Sequence, residues 1–427
     1  PAVLSWWNCQ HSVAERACPA CLSKASSGTI DRMGLANRAK RCRPEPAPHP
    51  DEARLLEADL TPDMDETNAS QSPLAYQDAI LPRVSRTFAL TIPQLPAPLR
   101  IVVGNAYLLC RLVDTIEDDT ALAAADKTRL MQAFLEVVRD ERDAERFALD
   151  LGPQLAAGTP AAERELVAQA ARVVAVTHAL TPRQRRAVER CVTVMGNGMP
   201  EFQDSKSLDG LAAMADLDRY CYVVAGIVGE MLTELFCDYC PEIEARRDEM
   251  MGLAVSFGQG LQMTNILKDI WEDGASGTCW LPRSAFPALD GTLGDALRTR
   301  DADALTDGIE SLLGVAHAHL RNALRYVERI PKRESGVRRF CLWAIGMAIL
   351  TLRQIHRTPG YSSGAQVKIS RRAVRLTIAA CNSLQFSSRA LDTLFSMCAA
   401  GLPLADLAPV ESPAVPRGAL ASDRATG

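Results

Sequence analysis

The chain has 427 residues, with 47 Lys+Arg against 52 Asp+Glu for a formal charge of −5; 47% of residues are hydrophobic, 23% charged and 5% aromatic. This is ordinary globular composition, and the mild acidity speaks against nucleic acid as a partner, which calls for a concentrated basic stripe. A polyanionic ligand would have to be met locally, by metal ions or a few placed cations, and the length allows two or three domains or one large helical one.

Residues 1 to about 70 differ in texture from the rest. They hold Cys9, Cys18, Cys21 and Cys42, a Pro-rich stretch from Pro44 to Pro50 and a polar run from Asp63 to Ser72. No period holds there, so the segment is expected to be disordered. The Cys18–Cys21 pair is a C-x-x-C that zinc could use with Cys9, Cys42 or His11. Without a second C-x-x-C at the usual spacing, a plain tail is the simpler reading. Pro1 to Trp7 is apolar but too short for a signal-peptide core. The chain does not begin with Met, as a fragment or a misassigned reading frame would give. Its thirteen cysteines are odd in number and scattered, which reads as reduced, mostly buried thiols of a cytosolic protein.

From 74 to 398 apolar residues recur at helical spacing, with Pro and Gly between segments. The expected helices are 74–92, 97–117, 125–147, 162–179, 182–197, 208–237, 243–272, 294–328, 334–357 and 370–398. Strand alternation is missing, so the fold class is all-α. The organisation expected is a tail over 1–70, a helical domain over 74–398 and a loose C-terminal tail over 401–427. The longest uncharged apolar run, Phe340 to Leu352, has the size of a buried core helix. It is too short for a membrane span, so no transmembrane segment is expected.

The chemistry is concentrated in two D-x-x-E-D motifs. One is Asp114-Thr-Ile-Glu117-Asp118, followed by Asp119; the other is Asp269-Ile-Trp-Glu272-Asp273. On a helix, positions i, i+3 and i+4 share one face, and Asn265 extends the second stripe by a turn. Like charges at this spacing cost a helix about 0.2–0.5 kcal/mol per pair. A solvated acidic face is one explanation. The apolar surroundings (Tyr107 to Cys110, then Ile266, Leu267, Ile270 and Trp271) and the repetition on two helices favour another. Facing carboxylates in a helical core call for cations. Hard oxygen ligands point to Mg²⁺, which completes its shell with substrate phosphates. The two motifs therefore predict a diphosphate substrate held between two walls. No P-loop, G-x-G-x-x-G or H-E-x-x-H is present. His317 and His319, two positions apart on a helix, are taken as surface residues.

With Val84-Ser85-Arg86-Thr87-Phe88 and Tyr220-Cys-Tyr-Val-Val-Ala-Gly226-Ile-Val-Gly229 in the same order, these motifs resemble the squalene/phytoene synthase family from about residue 76 to 375. The acidic run 114–119, Phe340-Cys341, Met347-Ala348-Ile349 and Val367-Lys368-Ile369 look nearer its squalene synthase branch. The resemblance implies an isoprenoid synthase type helical bundle around a central cavity. It implies two farnesyl diphosphates joined head to head through presqualene diphosphate, with Mg²⁺ held by Asp114, Glu117, Asp118, Asp269, Glu272 and Asp273. NADPH would then reduce the second cation to squalene.

By the same resemblance, Tyr220 is linked to proton removal, and Phe88, Tyr107 and Phe340 are candidates for stabilising cations in a dry cavity. Ser85, Arg86, Arg111 and Lys268 would bind diphosphate, Lys268 standing where the family commonly has Arg. Asn265, Lys368 and Arg371 resemble positions tied to NADPH, although Ser370 interrupts the basic run and no dinucleotide fingerprint is present. Gly226 and Gly229 imply close helix approach or local unwinding.

Two other readings stay open: a dehydrosqualene, phytoene or presqualene diphosphate synthase working without NADPH, and a non-catalytic helical protein that keeps the fold. The protein is expected to be a cytoplasmic monomer touching membranes transiently or peripherally, since its product would be insoluble in water.

Overall fold

The computed structural model describes residues 72–85, 88–203 and 207–407. Cys9, His11, Cys18, Cys21, Cys42 and Arg86 lie outside the described residues, as does the chain beyond 407.

Local polar signals decide where the helices begin and end. Ser72 caps α1 (Pro73–Val84) by accepting from the Ala75 N–H at 3.2 Å, and Pro73 takes the first helical position, where no N–H is needed. The expected helix to residue 92 stops early, because Ser85 is extended; a short turn follows at Phe88–Thr91. α2 runs over Ala97–Asp118. The expected 125–147 helix is two, α3 (Ala124–Val138) and α4 (Ala144–Leu151). Asp140 lies between them in the left-handed region, and Asp143 caps α4. The 162–179 segment breaks at Gln169 into α5 (Ala161–Ala168) and α6 (Ala170–His178). α7 (Pro182–Gln203) is longer than expected.

The 208–237 segment begins later, as α8 (Met214–Cys221). It passes through a π-helical turn at Tyr222–Gly226 and continues as α9 (Ile227–Tyr239). α10 spans Arg247–Ala275. A left-handed Arg300 and a capping Asp301 split the next segment into α11 (Leu293–Thr299) and α12 (Ala302–Arg329). α13 covers Ser335–Arg357. Ser387 caps the last helix, dividing the final segment into α14 (Arg371–Leu384) and α15 (Ser388–Cys398). Apolar periodicity runs through each of these breaks because both halves face the same core.

No strand occurs among the described residues; one isolated bridge pairs Leu211 with Pro282. α10 is the centre of the bundle. From Ala254 to Asp273 most of its residues are buried, polar ones included, and it packs against α9, α12 and α13. The approach of α9 is close enough to require glycine. A Cβ on Gly229 would stand 2.1 Å from the Ala254 carbonyl oxygen, and one on Gly258 would stand 2.2 Å from that of Ala225. Both glycines line the same cavity.

α8 through α9 and α13 are long and apolar enough to cross a membrane by length and composition, but 78% and 72% of their apolar windows are buried in the bundle. The described cysteines form no disulfide and, Cys398 apart, are buried.

Two expectations are corrected here. His317 and His319 are buried, not on the surface: His317 Nδ1 meets the Pro403 carbonyl at 2.8 Å, and His319 Nδ1 meets Ser256 Oγ at 2.8 Å. The C-terminal segment does not loosen at 401. The Ala405 N–H donates to the Gly314 carbonyl at 3.1 Å and Leu402 is buried, so residues 402–407 are docked along α12.

Candidate active site

The end of α2 carries the first acidic motif and the end of α10 the second. Tyr220, at the end of α8, lies within the field of both: Glu117, Asp118 and Asp273 all raise the pKa of its hydroxyl, after the larger effect of burial. Asp273 in turn feels Asp118 across the site, and burial with neighbouring acids pushes its carboxyl up to about 7. The two stripes therefore address one space.

Their carboxylates are not equivalent. Asp114 is 1% exposed, and neither of its oxygens has a hydrogen-bond donor among the described residues. Among the described residues its ion-pair contact is the Arg111 guanidinium, at 4.0 Å. Burial, followed by repulsion from Asp118 and Glu117 against partial relief by Arg111, raises its pKa well above the carboxylate range. Oδ1 of Asp273 is likewise buried without a donor. Buried carboxylates without partners are costly and need explaining.

The other members of the set are engaged. Asp269 pairs with Lys268 at 2.7 Å. Glu272 accepts the Gly364 N–H at 2.9 and 3.2 Å from its two oxygens. Asp119 turns away and holds a loop, accepting from the N–H groups of Ala121 and Ala156 and from Thr159 Oγ1, each at 2.8 Å. Asp118, at the helix end, is exposed. Among the described residues no three His, Cys, Asp or Glu side chains gather closely enough to hold a metal by themselves. The orphaned oxygens of Asp114 and Asp273 nevertheless fit a divalent cation. A hard ion with one or two protein ligands would complete its shell with phosphate oxygens.

Arg111 is buried and already committed. It forms a short ion pair with Glu163, which also accepts from Thr115 Oγ1 at 3.3 Å. Its Nε remains buried without an acceptor. Ser85 Oγ accepts from the Phe88 N–H at 3.1 Å, so it shapes the turn that presents Phe88. Phe88 and Phe340 both line an almost wholly apolar cavity. Tyr107 stands behind Phe88, ring centroids 4.9 Å apart, and donates to the Val84 carbonyl at 3.1 Å. Asn265 lines the same cavity one turn before Asp269, donating to Gln262 Oε1 at 3.2 Å and leaving its own oxygen unpaired. Lys368 and Arg371 are exposed near the start of α14, apart in burial from Asn265.

Sequence reasoning missed five contributors. Trp280 stacks on Tyr220, and Phe202 meets that tyrosine edge-on, ring centroids 5.2 Å apart. The Trp280 loop is pinned by backbone bonds: the Leu211 N–H to the Leu281 carbonyl at 3.0 Å, the Arg283 N–H to the Leu211 carbonyl at 2.8 Å, and the Cys279 N–H to the Ser207 carbonyl at 3.0 Å. An aromatic residue seven positions after Asp273 was the only available signal. Glu163 had none. The loop after α13 reaches back to the second motif through Gly364 and through Tyr361, whose hydroxyl donates to the Leu267 carbonyl.

An all-α bundle with two facing acidic helix ends beside an apolar cavity defines a protein of the isoprenoid synthase type. A solved structure of TcSQS in complex with a ligand has this fold: it superposes on 78% of this chain and 94% of that one, with a TM-score of 0.64 at 24% identity. The family model described as squalene/phytoene synthase matches residues 81–373, and the chain belongs to that family. The squalene synthase of Eremothecium gossypii is 29% identical over 301 residues, covering 70% of this chain and 65% of that protein. Squalene synthase ERG9 of Candida albicans is 28% identical over 315 residues, covering 73% and 67%. The chain thus spans about two thirds of the length of these curated relatives.

Proposed function

We propose that this protein is a prenyltransferase that condenses two farnesyl diphosphates head to head through presqualene diphosphate and reduces the product to squalene. The observation that carries this reading is that two acidic helix ends, with the donor-free buried oxygens of Asp114 on one and Asp273 on the other, converge on Tyr220 through Glu117, Asp118 and Asp273, beside an apolar cavity.

Asp114 and Asp273, with Asp118 and the remaining acidic residues, would hold Mg²⁺. That ion, when bound, supplies the charge neutralisation a departing diphosphate needs. Lys268 and Arg111 contribute cations from the chain itself, though each must share its charge with Asp269 or Glu163. Tyr220 keeps its proton, because burial and three nearby carboxylates disfavour a phenolate. Its expected part in the reaction is in proton removal, from a resting state in which the hydroxyl is protonated. The cavity excludes water from an allylic cation, and the faces of Phe88 and Phe340 stabilise positive charge. Asn265, with Lys368 and Arg371, would hold NADPH, the source of the hydride that completes squalene.

Incubation with farnesyl diphosphate and Mg²⁺, with and without NADPH, tests the reading. Squalene formed only with NADPH supports it. Dehydrosqualene, or presqualene diphosphate unaffected by NADPH, moves the assignment to a relative that stops earlier. No product from farnesyl or geranylgeranyl diphosphate removes the catalytic reading.

A further inference from the structure

We propose that α14 and the turn after it form a docking face for an anionic lipid surface. Of the fourteen residues of α14, only Cys381 is buried. Its inner side rests on α13: Asn382 Oδ1 accepts from Trp343 Nε1 at 3.1 Å, and the Cys381 thiol lies 3.6 Å from the Leu342 carbonyl. Arg372, Arg375, Leu376, Ala379, Ser383 and Phe386 follow one another at steps of one, three or four along the outer side, and all are exposed. Leu376 is 60% and Phe386 52% exposed, an unusual position for large apolar side chains at the end of a basic helix.

The charge is equally one-sided. Residues 365–400 contain Lys368, Arg371, Arg372, Arg375 and Arg389 against the single acid Asp392, in a chain whose net charge is −5. Several surface arginines elsewhere carry carboxylate partners, as in Arg183–Glu244, Arg329–Glu249 and Arg333–Glu242. The guanidinium groups of Arg371, Arg372, Arg375 and Arg389 have no ion-pair or hydrogen-bond partner among the described residues. Three of them stand in the first turns of α14, where the helix dipole favours acids, and the first turn has none. This arrangement is unfavourable in isolation and is relieved by negative charge outside the helix.

Cations and protruding apolar side chains on one helix face are the chemistry of an interfacial helix on an anionic leaflet. An acidic protein would satisfy the arginines but would need a matching pocket for Leu376 and Phe386. The other face of α13 supplies Phe340, Cys341 and Ala344 to the cavity wall, so α14 lies one helix layer from the cavity.

The proposal does not depend on the proposed reaction, because binding is measured without substrate. Flotation of the purified full chain is compared on phosphatidylcholine vesicles with and without phosphatidylserine. The chain is expected to float with the anionic vesicles, less so at high salt, and not with phosphatidylcholine alone. The double variant Arg372→Glu/Arg375→Glu should lose at least about tenfold in partitioning. Leu376→Ser/Phe386→Ser, also on exposed positions, should lose binding with its helical circular dichroism intact. Failure of the parent chain to float, equal flotation on both vesicles, or variants that bind like the parent would each overturn it.

Discussion

The rings of Tyr220 and Trp280 lie parallel, 8° apart in plane and 4.0 Å between centroids, and Trp280 is buried with its indole N–H unpaired. The tryptophan comes from a loop tied to the entry of α8, so the stack fixes the tyrosine hydroxyl between two acidic helix ends. Its contribution beyond burial is of the order of 0.5–1.5 kcal/mol, enough to select one ring orientation.

Trp280→Leu should therefore lower kcat by about tenfold with a smaller change in KM, while Trp280→Phe restores most of it. Steady-state release of diphosphate reads both constants. Equal losses in the two variants would mean that the indole acts by filling space and not by holding the ring.

Asp114 separates stability from activity. Its charge is buried without a donor, and Arg111 is already paired with Glu163. Asp114→Asn should leave the thermal midpoint of the metal-free protein unchanged or raised, and cut turnover by at least about a hundredfold. A fall in the midpoint together with turnover would make this carboxylate structural.

Mg²⁺ with inorganic pyrophosphate should raise the thermal midpoint more than either alone, because the carboxylates need both the ion and its phosphate ligands. At a hundredfold excess over Kd the gain is about 2.7 kcal/mol. Calorimetry on the parent chain and on Asp273→Asn checks it: the increment should shrink in the variant.

His319 makes the fold acid-sensitive. Burial lowers its pKa from 6.5 to about 4. Because the folded state favours the neutral ring, stability is intact above pH 6.5 and is lost as pH falls towards 4. Over that window the loss approaches about 3 kcal/mol. Urea midpoints of the parent and of His319→Leu, compared at both ends of the window, should differ least at the acid end.

Arg338 is a structural cation. It is 1% exposed and donates to the carbonyls of Gln385 at 2.9 Å, Val327 at 2.6 Å and Ile330 at 2.7 Å, tying the end of α12 to α13 and to the turn before α15. Arg338→Met strands those carbonyls and should cost about 3 kcal/mol or more in urea unfolding.

Sequence by itself determined the helical class, the two acidic stripes and the family. Each of these depends on short spacings (i, i+3, i+4) that hold wherever the helix lies in space. It also carried apolar periodicity across breaks that only Asp140, Gln169, Arg300 and Ser387 make visible. What the tertiary structure alone decided is which charges are compensated. Glu163 reaches Arg111 from 52 residues away, and Gly364 reaches Glu272 from 92. The burial of His317 and His319 likewise depends on helices and a C-terminal segment distant in sequence. Such partnerships follow from packing between helices, which no local pattern encodes. They leave Asp114 and Asp273, out of two motifs of one pattern, as the carboxylates whose buried oxygens have no hydrogen-bond donor among the described residues.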